Sequence, residues 1–233
     1  MKRTSPTRNY YLLDHFYRDM FFSAGSAASQ IRLSNFSLAR FRDSDSSEPS
    51  DYRNRIVEII ETGEVKVQRM VTIQSYVKLM DVVQEVHRFK SCRNFEIKCA
   101  NFGPHYEKKV MRKLERAREA VPEELKDEIP TNPYPPNIQV FDDFASYQID
   151  PCRGYLVGDD FPNSSRHTDK PTISSHQNTY DFFWGHPHTL SLRRRGGGAL
   201  DLDNIKMIMN TLSWSDKTQQ EALEMIAEIT EEP

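Results

Sequence analysis

Across residues 52–73 the apolar positions change period at a single glycine. Tyr52, Ile56, Ile59 and Ile60 recur at helical spacing and form one stripe, so a helix is predicted there. Gly63 falls where the chain must leave it, through a left-handed residue that costs glycine little. Val65, Val67, Val71 and Ile73 then occupy alternate positions, the period of a strand with one buried face. Arg69 sits in that phase, either as a strand-end residue reaching water along its aliphatic stem or as a group placed to meet a ligand. Ser75 is a predicted cap, and Leu79, Val82, Val83 and Val86 repeat the helical pattern to Lys90. Phe95, Ile97 and Cys99 alternate again. A strand, a helix and a strand in this order predict a parallel crossover unit. The fold class is therefore expected to be α/β, with a mixed, largely parallel sheet flanked by helices.

Elsewhere the pattern is less regular. Residues 10–22, YYLLDHFYRDMFF, fit an amphipathic helix whose many aromatic groups also suit a protein contact surface. A first strand is predicted from Gln30 through Ile31 and Leu33, with Asn35 near its carboxyl end; residues 43–51 read as a solvated linker. Val110, Leu114, Ala117 and Val121 give one helical stripe, while Lys108, Lys109, Arg112, Lys113, Arg116 and Arg118 crowd the remaining surface. This looks like an inserted element or lid, followed by the acidic residues Glu123, Glu124, Asp127 and Glu128 and by an extended TNPYPPN segment. Two strands are predicted around an Asp142–Asp143 turn and a third over residues 154–157, paired antiparallel because their connections are short. Residues 161–179 read as polar and turn-rich, and residues 180–195 as an aromatic helix.

The glycines at 196–198 mark a boundary. Two short helices follow, one through Leu202, Ile205, Ile208, Met209 and Leu212, the other through Leu223, Ile226 and Ala227 after an Asp216–Gln219 capping box. This acidic hairpin is expected to pack on the basic helix of the same or another subunit. The predicted organisation is an aromatic helix at 1–28, an α/β domain at 29–195 and a glycine linker with an acidic helical tail at 196–233.

Composition narrows the chemistry. The 233 residues carry a net charge of -3, so a nucleic-acid partner is not expected. No apolar run approaches the roughly 20 residues that cross a bilayer, and MKRTSPTRNYY lacks the apolar core of a secretory signal, so a cytoplasmic protein without a membrane partner is expected. Cys92, Cys99 and Cys152 show no CxxC spacing, which points to reduced thiols. His167, His176, His186 and His188 lie close in sequence, near Asp159 and Asp160, and are secondary candidates for metal ligands. No metal or other cofactor is expected, because HPH lacks the i, i+4 pair of a helical site and adjacent aspartates on a strand face opposite ways.

The segments RIVEIIETGEVKVQRMVTI, NFEIKC, NIQVFDD, RGYLVGDD and YDFFWGH follow one another in an order that resembles the phospholipase D-like fold in its degenerate, noncatalytic form. Such domains serve as sensor or regulatory modules in prokaryotic proteins. Gly63, Arg69, Asp142, Asp143 and Trp184 stand at the matching points, and the resemblance covers residues 29–195. Active members use a His-x-Lys pair followed by Asp. That spacing is absent here, HTDK with His167 and Lys170 being the nearest approach, so the resemblance implies no catalytic residue. The expected function is a noncatalytic ligand- or protein-binding regulatory domain, a homodimer that could also engage a regulatory or signalling protein, with Asn35 and Arg69 as ligand-binding residues. Two alternatives stand beside it: a phosphodiesterase or nuclease, with or without a metal ion, using the His-rich segment of residues 167–188, and a helical adaptor that binds through residues 10–22 and the acidic tail.

Overall fold

A computed structural model describes residues 7–10, 13–35, 48–101, 103–123, 134–150, 155–159, 172–194 and 198–231. The helix predicted from Tyr52 to Ile60 forms as α2 (Glu48–Thr62), and Gly63 leaves it at φ +77°, its N–H donating to Ile59 O at 3.3 Å. The strand and helix that follow are β3 (Lys66–Val71) and α3 (Tyr76–Arg88), the latter capped by Ser75 Oγ accepting from Lys78 N at 3.2 Å. Strand β4 (Phe95–Cys99) completes the crossover.

Five further strands extend the sheet: β1 (Thr7–Tyr10), β2 (Gln30–Ser34), β5 (Asn137–Phe141), β6 (Ala145–Asp150) and β7 (Tyr155–Asp159), with a two-residue β8 (Leu190–Ser191) as the sixth addition at the far edge. Among the described residues they form one eight-stranded sheet in the order β1-β7-β6-β5-β2-β3-β4-β8. The fold is α/β and the sheet is mixed. Strands β2, β3 and β4 are parallel, joined by helical crossovers, whereas β5, β6 and β7 follow one another antiparallel, as short turns require.

The strand alternation sorts the helices into two layers. Ile31, Leu33, Val67, Val71, Phe95, Ile97, Phe141 and Tyr147 face one way, into a core shared with α1 (Leu13–Ser26), α2 and α3. Met70 and Ala100 face the other way, under Val110 and Leu114 of α4 (Gly103–Ala120) and Tyr180 and Phe183 of α5 (Thr172–Trp184).

Several sequence expectations change. Strand β1 precedes α1 and pairs with β7, which no pattern announced. Helix α5 starts earlier than expected and stops at Trp184, because Gly185 N closes the last turn on Asp181 O at 2.9 Å and Pro187 cannot extend it. Helices α6 (Leu202–Thr211) and α7 (Asp216–Glu231) form as predicted. Helix α6 is capped by Asp201, whose side chain accepts from Asn204 N, and α7 by Ser215 and not Asp216: Thr218 N donates to Ser215 Oγ, and the Gln219 amide turns back to Asn210 Oδ1 and Trp214 O.

Nor does the acidic hairpin rest on the basic helix of its own chain. Ile205, Ile208, Met209, Ala222 and Ile226 join the core of the first layer, with α7 against α3 and Trp214 against Tyr76. Helix α1 enters the same core through Phe16, Tyr17, Met20 and Ala24. The segments on either side of the boundaries expected at residues 28 and 196 thus share one core. No helix among the described residues is long and apolar enough to cross a membrane.

Candidate functional site

The parallel strands end together at one edge, and the loops that follow them carry short polar side chains. Asn35 lies just beyond β2 with φ +52°, a conformation asparagine tolerates better than most residues. Its N–H donates to Met70 O at 2.8 Å, its Nδ2 to Pro135 O at 2.5 Å, and its Oδ1 accepts from Thr72 N at 2.9 Å. Three strands are tied by this one residue. Beside it, Ser34 Oγ accepts from Ile138 N at 2.9 Å and donates to Pro136 O. Asn101 repeats the device one strand over, accepting from Ile73 N at 2.7 Å and donating to Ile73 O. The Cys99 thiol also donates to Asn101 Oδ1, at 2.8 Å, and burial pushes it up to about 12, so it stays protonated. Helix α4 begins at Gly103, directly beyond this edge.

The described strand ends are therefore tied to one another by amides that pair with backbone. Thr72 Oγ1 is buried there and has no hydrogen-bond partner among the described residues.

Arg69 does not share this setting with Asn35. Its side chain is fully buried in the first layer, with Nε 2.8 Å from Glu85 Oε1 of α3. Nη1 and Nη2 have no hydrogen-bond partner among the described residues. Burial raises Glu85 to about 7 although the guanidinium opposes it, and burial lowers Arg69 although Glu85 opposes that. Sequence reading missed Glu85. It stands next to the apolar stripe of α3, so its position was legible, but nothing in the chain linked it to Arg69.

The histidines separate as well. His167 and Asp160, with the HTDK element, lie outside the described residues. His176 of α5 is buried against β6, with Nδ1 2.8 Å from Ser146 Oγ and Nε2 3.0 Å from Gln148 Oε1, and burial lowers it to about 4. It is neutral at physiological pH, with both ring nitrogens engaged. His186 and His188 stand together beyond α5, ring centroids 5.5 Å apart, and His188 N donates to His186 Nδ1 at 3.3 Å. Burial lowers His186, as do His188 and Lys113 of α4 beside it. Nearby Lys98 Nζ lies 4.4 Å from the centroid of the Trp184 ring and donates to Trp184 O at 3.0 Å. Among the described residues no group of three His, Cys, Asp or Glu side chains could hold a metal ion.

Asp142 works at the opposite edge. With φ +46° at the β5–β6 turn, its carboxylate accepts from Ala28 N at 2.7 Å, Ser29 N at 3.1 Å, Ser29 Oγ at 2.6 Å and Gln30 N at 2.6 Å. Burial alone would raise its pKa, but these hydrogen bonds hold it below the usual carboxylate range. The turn thereby fixes the entry into β2.

One open concavity lies elsewhere, between α1 and α2. It measures about 440 Å³ and is lined by Arg18, Phe21, Phe22, Asp51, Asn54, Arg55 and Glu58. Phe22 is 62% exposed beside it.

No family model matches the chain, and no curated protein matches it. Among solved structures it is similar to NucT from Helicobacter pylori, with a TM-score of 0.39 and 13% identity over 80% of this chain and 99% of that one. At that level of likeness, function has to be read from the chain's own geometry.

Proposed function

We propose that this chain is a noncatalytic binding domain of regulatory type, as the phospholipase D-like resemblance implies, and that it engages a protein partner through the groove between α1 and α2. The observation that carries the proposal is the pairing of exposed Phe22 with that groove, where an apolar floor is ringed by Arg18, Arg55, Asp51 and Glu58. Asn35 contributes by tying the strand ends at the carboxyl edge together, and Arg69 by pairing with Glu85 in the layer behind it. His176 keeps no ring nitrogen for a metal or for attack on a substrate, since both are engaged by Ser146 and Gln148.

A second reading, a phosphodiesterase, is favoured by His186. It sits beside Lys113 and His188, near Lys98, where cationic groups could hold a phosphate while a neutral imidazole takes a proton. One assay separates the two. Turnover of bis(4-nitrophenyl) phosphate by the full chain, with and without added Mn²⁺ or Zn²⁺, is expected to match a His186→Ala, His188→Ala variant. A rate that falls more than about 100-fold in that variant, the scale of a lost general base, overturns the noncatalytic reading.

A further inference from the structure

Two oppositely charged helices lie on opposite sides of the sheet. Helix α4 is anchored over Met70 and Ala100 through Val110 and Leu114, whereas α7 lies on α3 in the other layer, anchored through Ala222 and Ile226. Outward, α4 exposes Lys108, Lys109, Arg112, Lys113 and Arg116 against Glu115 and Glu119. Helix α7 exposes Asp216, Glu221, Glu224, Glu228 and Glu231 against Lys217. Lys109, Arg112, Lys113 and Arg116 recur at i, i+3, i+4 and i+7, and Glu221, Glu224, Glu228 and Glu231 at i, i+3, i+7 and i+10, so each set forms a stripe along its helix. Met225, 41% exposed, lies within the acidic stripe and offers apolar surface to lysine and arginine stems. The net charge of -3 conceals this separation.

Within one chain the stripes cannot meet, because the sheet stands between them. We propose that α4 of one copy docks on α7 of a second copy, a head-to-tail contact between complementary surfaces. A two-fold pair would need both stripes to face the same neighbour, which opposite faces of a sheet forbid. The contact therefore repeats from copy to copy. Exposed ion pairs are individually weak and screened by salt, so assembly depends on concentration and ionic strength. This proposal does not rest on the groove between α1 and α2.

Sedimentation of the full chain tests it, in about 0.1 M and about 1 M salt, where the screening length falls from about 10 Å to about 3 Å. The expected result at low salt is a weight-average mass that climbs past twice the 27.2 kDa of the chain as concentration rises, and a return to monomer at high salt. Arg112→Glu with Arg116→Glu should remain monomeric, as should Glu224→Lys with Glu228→Lys, each with unchanged circular dichroism because the altered residues are exposed. Mixed in equal amounts, the two variants should assemble again, since reversed α4 then meets reversed α7. A wild-type chain that stays monomeric at low salt overturns the proposal and leaves the basic stripe for an external polyanion. So does a variant that assembles alone, a mixture that stays monomeric, or a mass that saturates at two chains.

Discussion

Arg69 and Glu85 are each out of place by the pattern of their own element, and they meet. Arg69 occupies an inward position of β3 and Glu85 a buried position of α3, with side-chain exposures of 0% and 1%. Removing two charges from water costs several kcal/mol per ion, and their attraction repays this only when the remaining donors and acceptors are satisfied. Here Nη1, Nη2 and Glu85 Oε2 lack hydrogen-bond partners among the described residues. The pair is thus better understood as a device that fixes how α3 sits on β3 than as a source of stability. Arg69→Ala, which strands a buried carboxylate, is expected to cost about 3–5 kcal/mol. The apolar pair Arg69→Met with Glu85→Leu should cost little or even stabilise. Urea unfolding of the three variants decides the matter, and a double variant as unstable as Arg69→Ala would show that the ion pair is a net contributor.

Among the elements, those with a clean period were legible in the chain and those stabilised by distant polar contacts were not. Ile56, Ile59 and Ile60, then Val67 and Val71, set α2 and β3 by spacing alone, and Ser75 marked the start of α3. The amino-terminal half of α5 was hidden, because TISSHQN carries no apolar stripe and its helical register becomes evident only when His176 is seen bonded to Ser146 and Gln148. At the candidate site Asn35 was legible as a strand-end residue, yet Asn101 and Ser34 were not, since their partners are backbone groups at the ends of other strands. The packing of Gly198, read from the sequence as part of a flexible joint, was hidden for the same reason. Arg193 binds the segment before α6 to the α3–β4 turn, donating to Cys92 O at 3.0 Å, to Lys90 O at 3.2 Å and to Phe95 O. Gly198 packs against that turn so closely that a Cβ would lie 1.4 Å from Lys90 O. Gly198→Ala must therefore displace backbone, and a loss of about 1–3 kcal/mol is expected in urea unfolding, the usual scale of overpacking. Faster hydrogen exchange in β8 and α6 should accompany it. An unchanged midpoint would show that Gly198 is not held against that turn.

The whole molecule offers its own test of how many units it comprises, because its two tryptophans sit in different layers. Trp184 closes α5 on the second face, stacked on Tyr180 with centroids 5.6 Å apart. Trp214 joins α6 to α7 on the first face, 6.1 Å from Tyr76 of α3. If the tail were an appendage, its contacts with α3 would melt before the sheet does, and Trp214 would report an earlier transition than Trp184. The packing argues otherwise: Ile205, Ile208, Met209, Ala222 and Ile226 belong to the same buried cluster as Val67, Val71, Phe95 and Ile97, so losing the tail uncovers α3 and the strands beneath it. One shared core implies a single cooperative step, for which coincident transitions by different probes are the diagnostic. Fluorescence of Trp184→Phe, which reports Trp214 alone, and of Trp214→Phe, which reports Trp184 alone, should each be followed through urea unfolding beside far-ultraviolet circular dichroism of the same sample. Within each variant the two probes are expected to share one midpoint, whatever the substitution does to overall stability. A Trp214 signal that changes at lower urea than the circular dichroism of the same variant would mean that the helical tail folds as a separate unit.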